Sequence, residues 1–227
     1  VHFYRRPEWF LENGARYDNY PRTGSKVFAG EYAAQSDKTV SVNNKNNWQT
    51  AISEAGFLTG LERNADVVVM ASYAPLFAHV DGWQWTPDMI WVDNLRSYGT
   101  PNYYVQKLYS TNRGTNVVPI LLDGKPASGQ DNYYASATID KNTNEVIVKL
   151  VNNSDKARDV KFGIEGAKKL QSKATLTSLS GDNLDVVNSL DKPKEVSPSQ
   201  KIISVKNSNI ETSLAPYSFN VIKIKIN

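Results

Sequence analysis

The strongest constraint in the sequence is an early alternation of short apolar runs with longer stretches of helical periodicity. The run KVFAGEYA (Lys26–Ala33) is nearly continuous in apolar residues, as in a strand covered on both faces, and ADVVVMASYA (Ala65–Ala74) is a second, β-branched run. NWQTAISEAGFLTGLER (Asn47–Arg63) spaces its apolar residues three and four apart, and PNYYVQKLYSTN (Pro101–Asn112) opens with a proline in its first turn. Strand, helix, strand and helix in this order predict βα units around a parallel sheet.

The second half of the chain has a different pattern. The segments YYASATID and EVIVKLVNN flank the turn KNTN, which predicts a hairpin, and SFNVIKIKI (Ser218–Ile226) nearly alternates apolar with polar residues. Short strands at such intervals predict an antiparallel β-sandwich. Glycine, proline and serine cluster in LLDGKPASGQDN (Leu121–Asn132), so we place a domain boundary there, between residues 122 and 123.

Charge and composition exclude several classes of partner. The net charge is +3 with a pI near 8.9 and no concentrated basic stripe, so we expect no nucleic-acid partner. No apolar run approaches the roughly 18 residues that a membrane helix needs, so we expect no membrane span. Cysteine is absent, which excludes disulfides and thiolate metal sites, and the two histidines lie far apart in the sequence. We therefore expect no metal ion and no cofactor.

Candidate functional residues lie where the predicted parallel strands end, because loops carrying chemistry converge at the carboxyl ends of such strands. The opening VHFY places His2 and Tyr4 at one end, and the KVFAGEYA run places Glu31 at another. The segment YAPLFAHVDGWQWTPDMIWVDN follows the third strand and interleaves tryptophans with carboxylates and an amide. Such a mixture suits a sugar ring, since indoles stack on C–H faces while polar groups bind hydroxyls. The candidates in this segment are Trp83, Trp85 and Asp88.

Each of these features also has a purely structural interpretation. Glu31 is compatible with a strand that simply ends in water, His2 and Tyr4 with a satisfied core pair, and the tryptophan-rich segment with a hydrophobic lid. Glu54 and Glu62 fall on the long predicted helix, and we expect them on its solvated face.

Four stretches taken together carry a family resemblance. HFYRRPEWFL, YDNYPRTGSKVFAGEYAA, GLERNADVVVMASYAPLFAHVDGWQWTPDMIWVDN and SYGTPNYYVQKLYSTNRG, from about His2 to Gly114, closely resemble the later catalytic region of α-L-arabinofuranosidases of glycoside hydrolase family 51. The resemblance implies a (β/α)8 TIM barrel followed by an antiparallel, jelly-roll-like β-sandwich. Residues 1–122 then form the C-terminal part of the catalytic barrel, with strands six to eight, and residues 123–227 form the sandwich.

The resemblance also implies roles for the candidate residues. The family hydrolyses α-L-arabinofuranosides with retention, using two glutamates, and Glu31 matches the nucleophile at the end of the seventh barrel strand. His2 and Tyr4 match the family's His-x-Tyr at the end of strand six, where they orient the nucleophile and contact the sugar. The wall of the arabinose pocket is assigned to Trp83, Trp85 and Asp88.

The sequence departs from the family pattern at the acid/base residue. In the family this glutamate belongs to a Gly-Asn-Glu motif after strand four, whereas the one Asn-Glu pair here, Asn144 and Glu145, falls in the predicted hairpin. We therefore expect this chain to lack the acid/base glutamate, to need the missing N-terminal part of the barrel as its partner, and to be inactive alone on arabinose-containing polysaccharides or oligosaccharides.

Several expectations stay open at the level of sequence. One alternative function is a non-catalytic carbohydrate-binding or structural β-sandwich module, and another is one part of a split enzyme that needs a partner chain. A homo-oligomer is open because this family often assembles. Polysaccharide-degrading enzymes often work outside the cytoplasm, so the expected location is extracytoplasmic, either secreted or periplasmic.

Overall fold

The computed structural model of the protein describes residues 1–167, 170–206 and 208–226. Its helices are α1 (Pro7–Glu12), α2 (Trp48–Arg63) and α3 (Pro101–Thr111), and a 3₁₀ turn spans Gln130–Asn132. Its strands are β1 (His2–Arg5), β2 (Val27–Ala34), β3 (Val68–Tyr73), β4 (Phe77–His79), β5 (Ile90–Val92), β6 (Ser97–Gly99), β7 (Asn116–Val118), β8 (Leu121–Leu122), β9 (Lys125–Pro126), β10 (Tyr133–Asp140), β11 (Glu145–Asn152), β12 (Arg158–Gly163), β13 (Lys173–Ser180), β14 (Ser199–Lys206), β15 (Asn209–Leu214) and β16 (Ser218–Lys225). Among the described helices, none combines the length and apolar character needed to cross a bilayer.

The first half of the chain contains a parallel sheet with the strand order β1-β2-β3. Helix α2 connects β2 to β3, so this part is built from βα units as the sequence predicts. The register pairs His2 with Glu31 and Tyr4 with Ala33. Because side chains alternate between the two faces of a strand, His2, Tyr4 and Glu31 share one face of the sheet.

A small sheet follows β3 at the end where the candidate residues lie. Its order is β4-β5-β6, with β4 and β5 parallel and β5 and β6 antiparallel. The tryptophan-rich segment therefore contains short strands, which its sequence does not reveal because none is longer than three residues.

The second half forms an antiparallel sheet in the order β12-β15-β14-β13-β16-β11-β10-β7. The KNTN hairpin is confirmed: Asp140 pairs with Glu145, and Asn144 adopts a left-handed φ of 53° in the turn. Apolar side chains of one face form a core of their own that includes Leu150, Leu176 and Ile222. The predicted fold class, parallel βα units followed by an antiparallel sandwich-type sheet, is confirmed. The boundary between residues 122 and 123 stays a prediction, and β7, which precedes it, pairs with β10.

Helix α2 is buried on nearly all sides, which corrects the expectation of a solvated face. Thirteen of its 16 residues are buried, because one side packs on the parallel sheet and the other on the outer face of the antiparallel sheet. Glu54 is fully buried, and the side chain of Glu62 is only 14% exposed. The prediction that these two glutamates meet solvent is therefore wrong.

Polar contacts join α2 to the antiparallel sheet. Lys149 Nζ, on the fully buried side chain of β11, lies 2.6 Å from Glu62 Oε1 and also donates to the carbonyl oxygen of Asn112 at 2.6 Å. Ser136 Oγ donates to Glu62 Oε2 at 2.5 Å, and Trp48 Nε1 donates to the carbonyl oxygen of Tyr217 at 2.7 Å. The two halves of the chain thus share one continuous interior.

Candidate active site

Glu31 lies near the carboxyl end of β2, where two residues of β1 reach it. The hydroxyl of Tyr4 donates to Glu31 Oε2 at 2.7 Å, and His2 Nδ1 lies 3.3 Å from the same oxygen. These contacts follow from the parallel register of β1 and β2. The register places Glu31 beside Tyr4 and His2, which lie 27 and 29 positions earlier in the chain. Glu31 keeps 42% of its side-chain surface exposed, so its carboxylate is open to a ligand.

The hydrogen bond from Tyr4 leaves Glu31 with two unlike oxygens. Tyr4 donates to Oε2 and His2 Nδ1 lies near the same oxygen, whereas no described residue donates to Oε1. Burial, together with the neighbouring Glu31 carboxylate, raises the pKa of Tyr4 well above its ordinary value. Tyr4 therefore remains a neutral phenol, holding one oxygen of Glu31 while the other stays free to form a bond.

A cavity of about 490 Å³ opens beside Glu31. Its lining combines aromatic, apolar and polar side chains: Tyr4, Glu31, Gln35, Thr39, Val40, Ala74, Pro75, Trp85 and Thr86. Trp85 is half exposed and presents its indole to this space. A cavity of this size can hold a single sugar ring. The phenol and the indole can bind the ring, and the carboxylate can attack it from one side.

Three of the predicted residues lie outside the lining of this cavity: His2, which lies beside the Glu31 carboxylate, and Trp83 and Asp88. Trp83 packs edge-to-face on Trp91, with ring centroids 6.3 Å apart. Asp88 is only 2% exposed, and its Oδ2 has no hydrogen-bond partner among the described residues. Burial raises the pKa of Asp88 to about 6. The structure thus brings His2 and Tyr4 to Glu31 and Trp85 into the lining of the same cavity, and does not bring Trp83 or Asp88 into that lining.

Sequence reasoning missed the other lining residues. Gln35 follows β2 directly, and Thr39 and Val40 lie further along the same loop. Ala74 and Pro75 follow β3, and Thr86 lies in the loop between β4 and β5. All of them lie just past the carboxyl end of a strand or in the loop beyond it, and this position is the signal that could have found them. The described part of the chain holds no cluster of three or more His, Asp or Glu side chains placed to bind a metal ion.

The comparison with protein families agrees with this geometry. The family described as "Alpha-L-arabinofuranosidase C-terminal domain" matches residues 30–218, a range that includes Glu31 and most of the antiparallel sheet.

The chain belongs to the α-L-arabinofuranosidase C-terminal domain family.

Individual proteins that are similar to the chain agree with this family assignment. The chain is 31% identical over 222 residues to Alpha-L-arabinofuranosidase 2 of Arabidopsis thaliana, covering 96% of this chain and 32% of the relative. It is 53% identical over 118 residues to an extracellular exo-alpha-L-arabinofuranosidase of Streptomyces chartreusis, covering 52% of this chain and 13% of the relative.

A solved structure extends the likeness to the whole fold. The structure of the arabinose-bound α-L-arabinofuranosidase MgGH51 superposes with a TM-score of 0.90 at 30% sequence identity, covering 100% of this chain and 36% of that one. The 227 residues therefore span about a third of the length of these arabinofuranosidases.

Proposed function

We propose that this chain belongs to a retaining α-L-arabinofuranosidase in which Glu31 is the nucleophile. The observation that carries the proposal is the contact of Tyr4 and His2 with one oxygen of Glu31, at the carboxyl ends of parallel strands and beside a sugar-sized cavity. The proposed substrate is an arabinose-containing polysaccharide or oligosaccharide, because the relatives and the solved neighbour are named arabinofuranosidases.

The geometry supports a double displacement. Oε1 of Glu31, which no described residue engages, attacks the anomeric carbon while the bond from that carbon to the leaving oxygen breaks. Tyr4 holds Oε2, which orients the carboxylate for attack. The product of this step is an arabinosyl ester of Glu31. Water then attacks the anomeric carbon from the vacated face, and the ester bond breaks to release arabinose and the Glu31 carboxylate.

A second carboxyl group is needed to protonate the leaving oxygen and then to take a proton from water. Among the described residues that line the cavity, Glu31 is the sole carboxylate. Retaining enzymes place their two carboxyl groups about 5 Å apart. We propose that the acid/base residue lies outside these 227 residues, in the two thirds of the relatives that this chain does not span.

It follows that the 227 residues alone hydrolyse natural arabinosides poorly. Losing general acid/base help typically costs about 10²- to 10⁴-fold in rate, and losing the remainder of the pocket costs more. Normal turnover of arabinan by the isolated, folded 227-residue chain would contradict this part of the proposal.

The test uses the complete natural protein that contains this chain. Turnover of 4-nitrophenyl α-L-arabinofuranoside is measured for the wild type and for Glu31→Gln, and the anomer first released is identified by NMR. We expect the α-anomer first, and a loss of activity of at least about 10⁴-fold in Glu31→Gln. Glu8→Gln, a matched change of an exposed glutamate on α1, keeps wild-type activity. Substantial activity in Glu31→Gln would overturn the proposal.

A non-catalytic carbohydrate-binding function of the antiparallel sheet has less support. Its aromatic side chains are not displayed as a platform: Tyr133, Tyr134 and Phe219 are buried, and Phe162 and Tyr217 are partly buried. Stacking of sugar rings needs exposed aromatic faces, so we place the sugar site at Glu31. For the location of the enzyme we propose an extracytoplasmic one, in line with the Streptomyces relative that is named extracellular.

A further inference from the structure

Glu54 is a buried carboxyl group that the mechanism above does not use. It lies on α2, is fully buried, and its Oε1 accepts a hydrogen bond from the backbone N–H of Ala34 at 2.8 Å. Its Oε2 accepts from Gln106 Nε2 on α3 at 3.3 Å. The side-chain oxygen of that Gln106 in turn accepts from the hydroxyl of Tyr32 at 2.5 Å. One carboxyl group therefore connects two helices to the strand that carries Glu31.

The backbone N–H of Ala34 needs this acceptor because β2 extends past its neighbour. Tyr32 faces β3, since its carbonyl oxygen accepts from Ala74 N at 3.3 Å, and Ala34 faces the same side two residues later. Strand β3 ends at Tyr73, and Pro75 begins the following turn. Without Glu54, a buried N–H of the functional strand would have no partner, at a cost comparable to a lost hydrogen bond.

The position of this contact relates it to the reactive carboxylate. Ala34 lies three residues after Glu31, and Tyr32 is the next residue in the chain. The ring of Tyr32 is buried on the face opposite to Glu31 and packs near Phe57 and Tyr73. Glu54 thus holds β2 directly at Ala34 and through Gln106 at Tyr32, three residues and one residue beyond Glu31.

We propose that Glu54 is a positioning residue for Glu31, holding the end of β2 so that the Glu31 carboxylate stays in register with Tyr4. The inference rests on the proposed role of Glu31 as nucleophile. Its physical basis is the steep dependence of rate on alignment, since a misplacement of about 1 Å can cost about 10²-fold.

The test compares two variants of the complete natural protein. Glu54→Gln retains a side-chain oxygen that accepts from Ala34 N–H, so we expect its kcat within about threefold of wild type. Glu54→Ala removes the acceptor, and we expect kcat to fall about 10- to 100-fold while KM changes less than about threefold. Equal losses in the two variants, or wild-type kcat in folded Glu54→Ala, would overturn the proposal.

A control on the same helix separates positioning from general destabilisation. Glu62 is also largely buried, but it pairs with Lys149 of the antiparallel sheet and lies two helical turns beyond Glu54. We expect Glu62→Ala to lower the melting temperature while the folded enzyme keeps wild-type kcat. A fall in kcat equal to that of Glu54→Ala at equal melting temperature would show a merely structural role.

A second variant keeps the proposal testable if Glu54→Ala does not fold. Tyr32→Phe removes the hydroxyl that reaches Gln106 but retains the buried ring. We expect kcat to fall about 3- to 10-fold with KM unchanged. An unchanged kcat would contradict a contribution of the Tyr32–Gln106–Glu54 hydrogen bonds to the positioning of Glu31. Activity that survives in Glu31→Gln would instead refute the proposed function itself, so the two failures are distinguishable.

Discussion

At the scale of single residues, the hydroxyl of Tyr4 donates to the Glu31 carboxylate, and we propose that this bond orients it. Tyr4→Phe removes the donor at 2.7 Å but leaves the ring in place. We expect kcat of the complete enzyme to fall about 10- to 100-fold with little change in KM, because the lost hydrogen bond orients a reacting group. Steady-state kinetics test this, with Tyr20→Phe at an exposed position as the control. A loss seen only in KM would assign Tyr4 to substrate binding.

The buried carboxyl group of Glu54 makes stability depend on pH. Burial raises its pKa from 4.5 to about 8. The hydrogen bonds from the Ala34 backbone and from the side-chain amides of Asn102 and Gln106 lower the pKa, but by less. The tyrosines that face it, Tyr32 and Tyr73, also have raised pKa values because they are buried, so both remain neutral between about pH 4.5 and 8. Between about pH 4.5 and 8 the folded state therefore keeps a proton that the unfolded state releases, so stability falls as pH rises.

Urea unfolding of wild type and Glu54→Gln at several pH values measures this linkage. The contribution of Glu54 is fully present below about pH 4.5 and is lost as pH rises to about 8. We expect the free energy of unfolding of wild type, relative to Glu54→Gln, to fall by about 1 kcal/mol per pH unit within this window. A difference between the two proteins that stays constant with pH would contradict a raised pKa.

At the scale of secondary-structure elements, α2 is held at both ends by contacts from other parts of the fold. At its amino end, Trp48 N and Gln49 N donate to the carbonyl oxygens of Val186 and Leu184 at 2.9 and 2.8 Å, and Asn47 Oδ1 accepts from Thr50 N. These bonds satisfy donors that a helix cannot satisfy internally. Towards its carboxyl end, Glu62 meets the buried Lys149.

The Lys149–Glu62 pair gives a prediction at this scale. Lys149→Met fills similar space but leaves a largely buried carboxylate unpaired, so we expect the free energy of unfolding to fall by about 3 kcal/mol. The double change Lys149→Met with Glu62→Gln should recover part of that loss, because no unpaired charge remains. Chemical denaturation of the four proteins of this cycle measures the coupling.

The exposed pair Lys161–Glu211 serves as control, and Lys161→Met should change stability little. Additive effects in the Lys149–Glu62 cycle would contradict the account.

The elements differ in how far the sequence could predict them. The long strand β10 is found at its predicted bounds, and strand β2 ends one residue beyond the predicted end of its apolar run. The three short strands β4–β6 leave no periodic signal, because a strand of three residues cannot show alternation. The burial of Glu54 and Glu62 could not be predicted either, since it results from tertiary packing: Glu54 contacts β2 and α3, and Glu62 contacts the antiparallel sheet from far along the chain.

The same distinction applies to the candidate site. Glu31 could be singled out because a carboxylate interrupts an apolar run, but its role as nucleophile rests on the family resemblance and stays a prediction. Its contacts with β1 follow from a parallel register. The positions of Trp83 and Asp88 depend on the path of the loop around β4 and β5, which no local pattern determines.

At the scale of the whole molecule, both halves of the chain contribute to one apolar core. Phe57 and Ile52 of α2 belong to the same buried cluster as Tyr134, Val151 and Phe219 of the antiparallel sheet. Separating the halves would expose these side chains to water, at about 25 cal/mol for each Å² of apolar surface. We therefore expect the two halves to unfold together.

Two spectroscopic probes test this cooperativity. All five tryptophans lie before residue 92, so their fluorescence reports on the first half, whereas far-UV circular dichroism reports mainly on the sheets. We expect coincident midpoints in thermal unfolding followed by both probes. Two separated transitions would show that the antiparallel sheet is an independent unit.

Trapping the covalent intermediate tests whether Glu31 is the residue that attacks the sugar. A 2-deoxy-2-fluoro arabinofuranosyl substrate with an activated leaving group forms the ester without needing a strong acid and hydrolyses slowly. The complete natural protein is incubated with it, digested and analysed by mass spectrometry. We expect one fluoroarabinosyl group per enzyme, attached to Glu31, and none in Glu31→Gln. A sugar attached to any other residue, or turnover of the natural substrate with inversion, would contradict this role of Glu31.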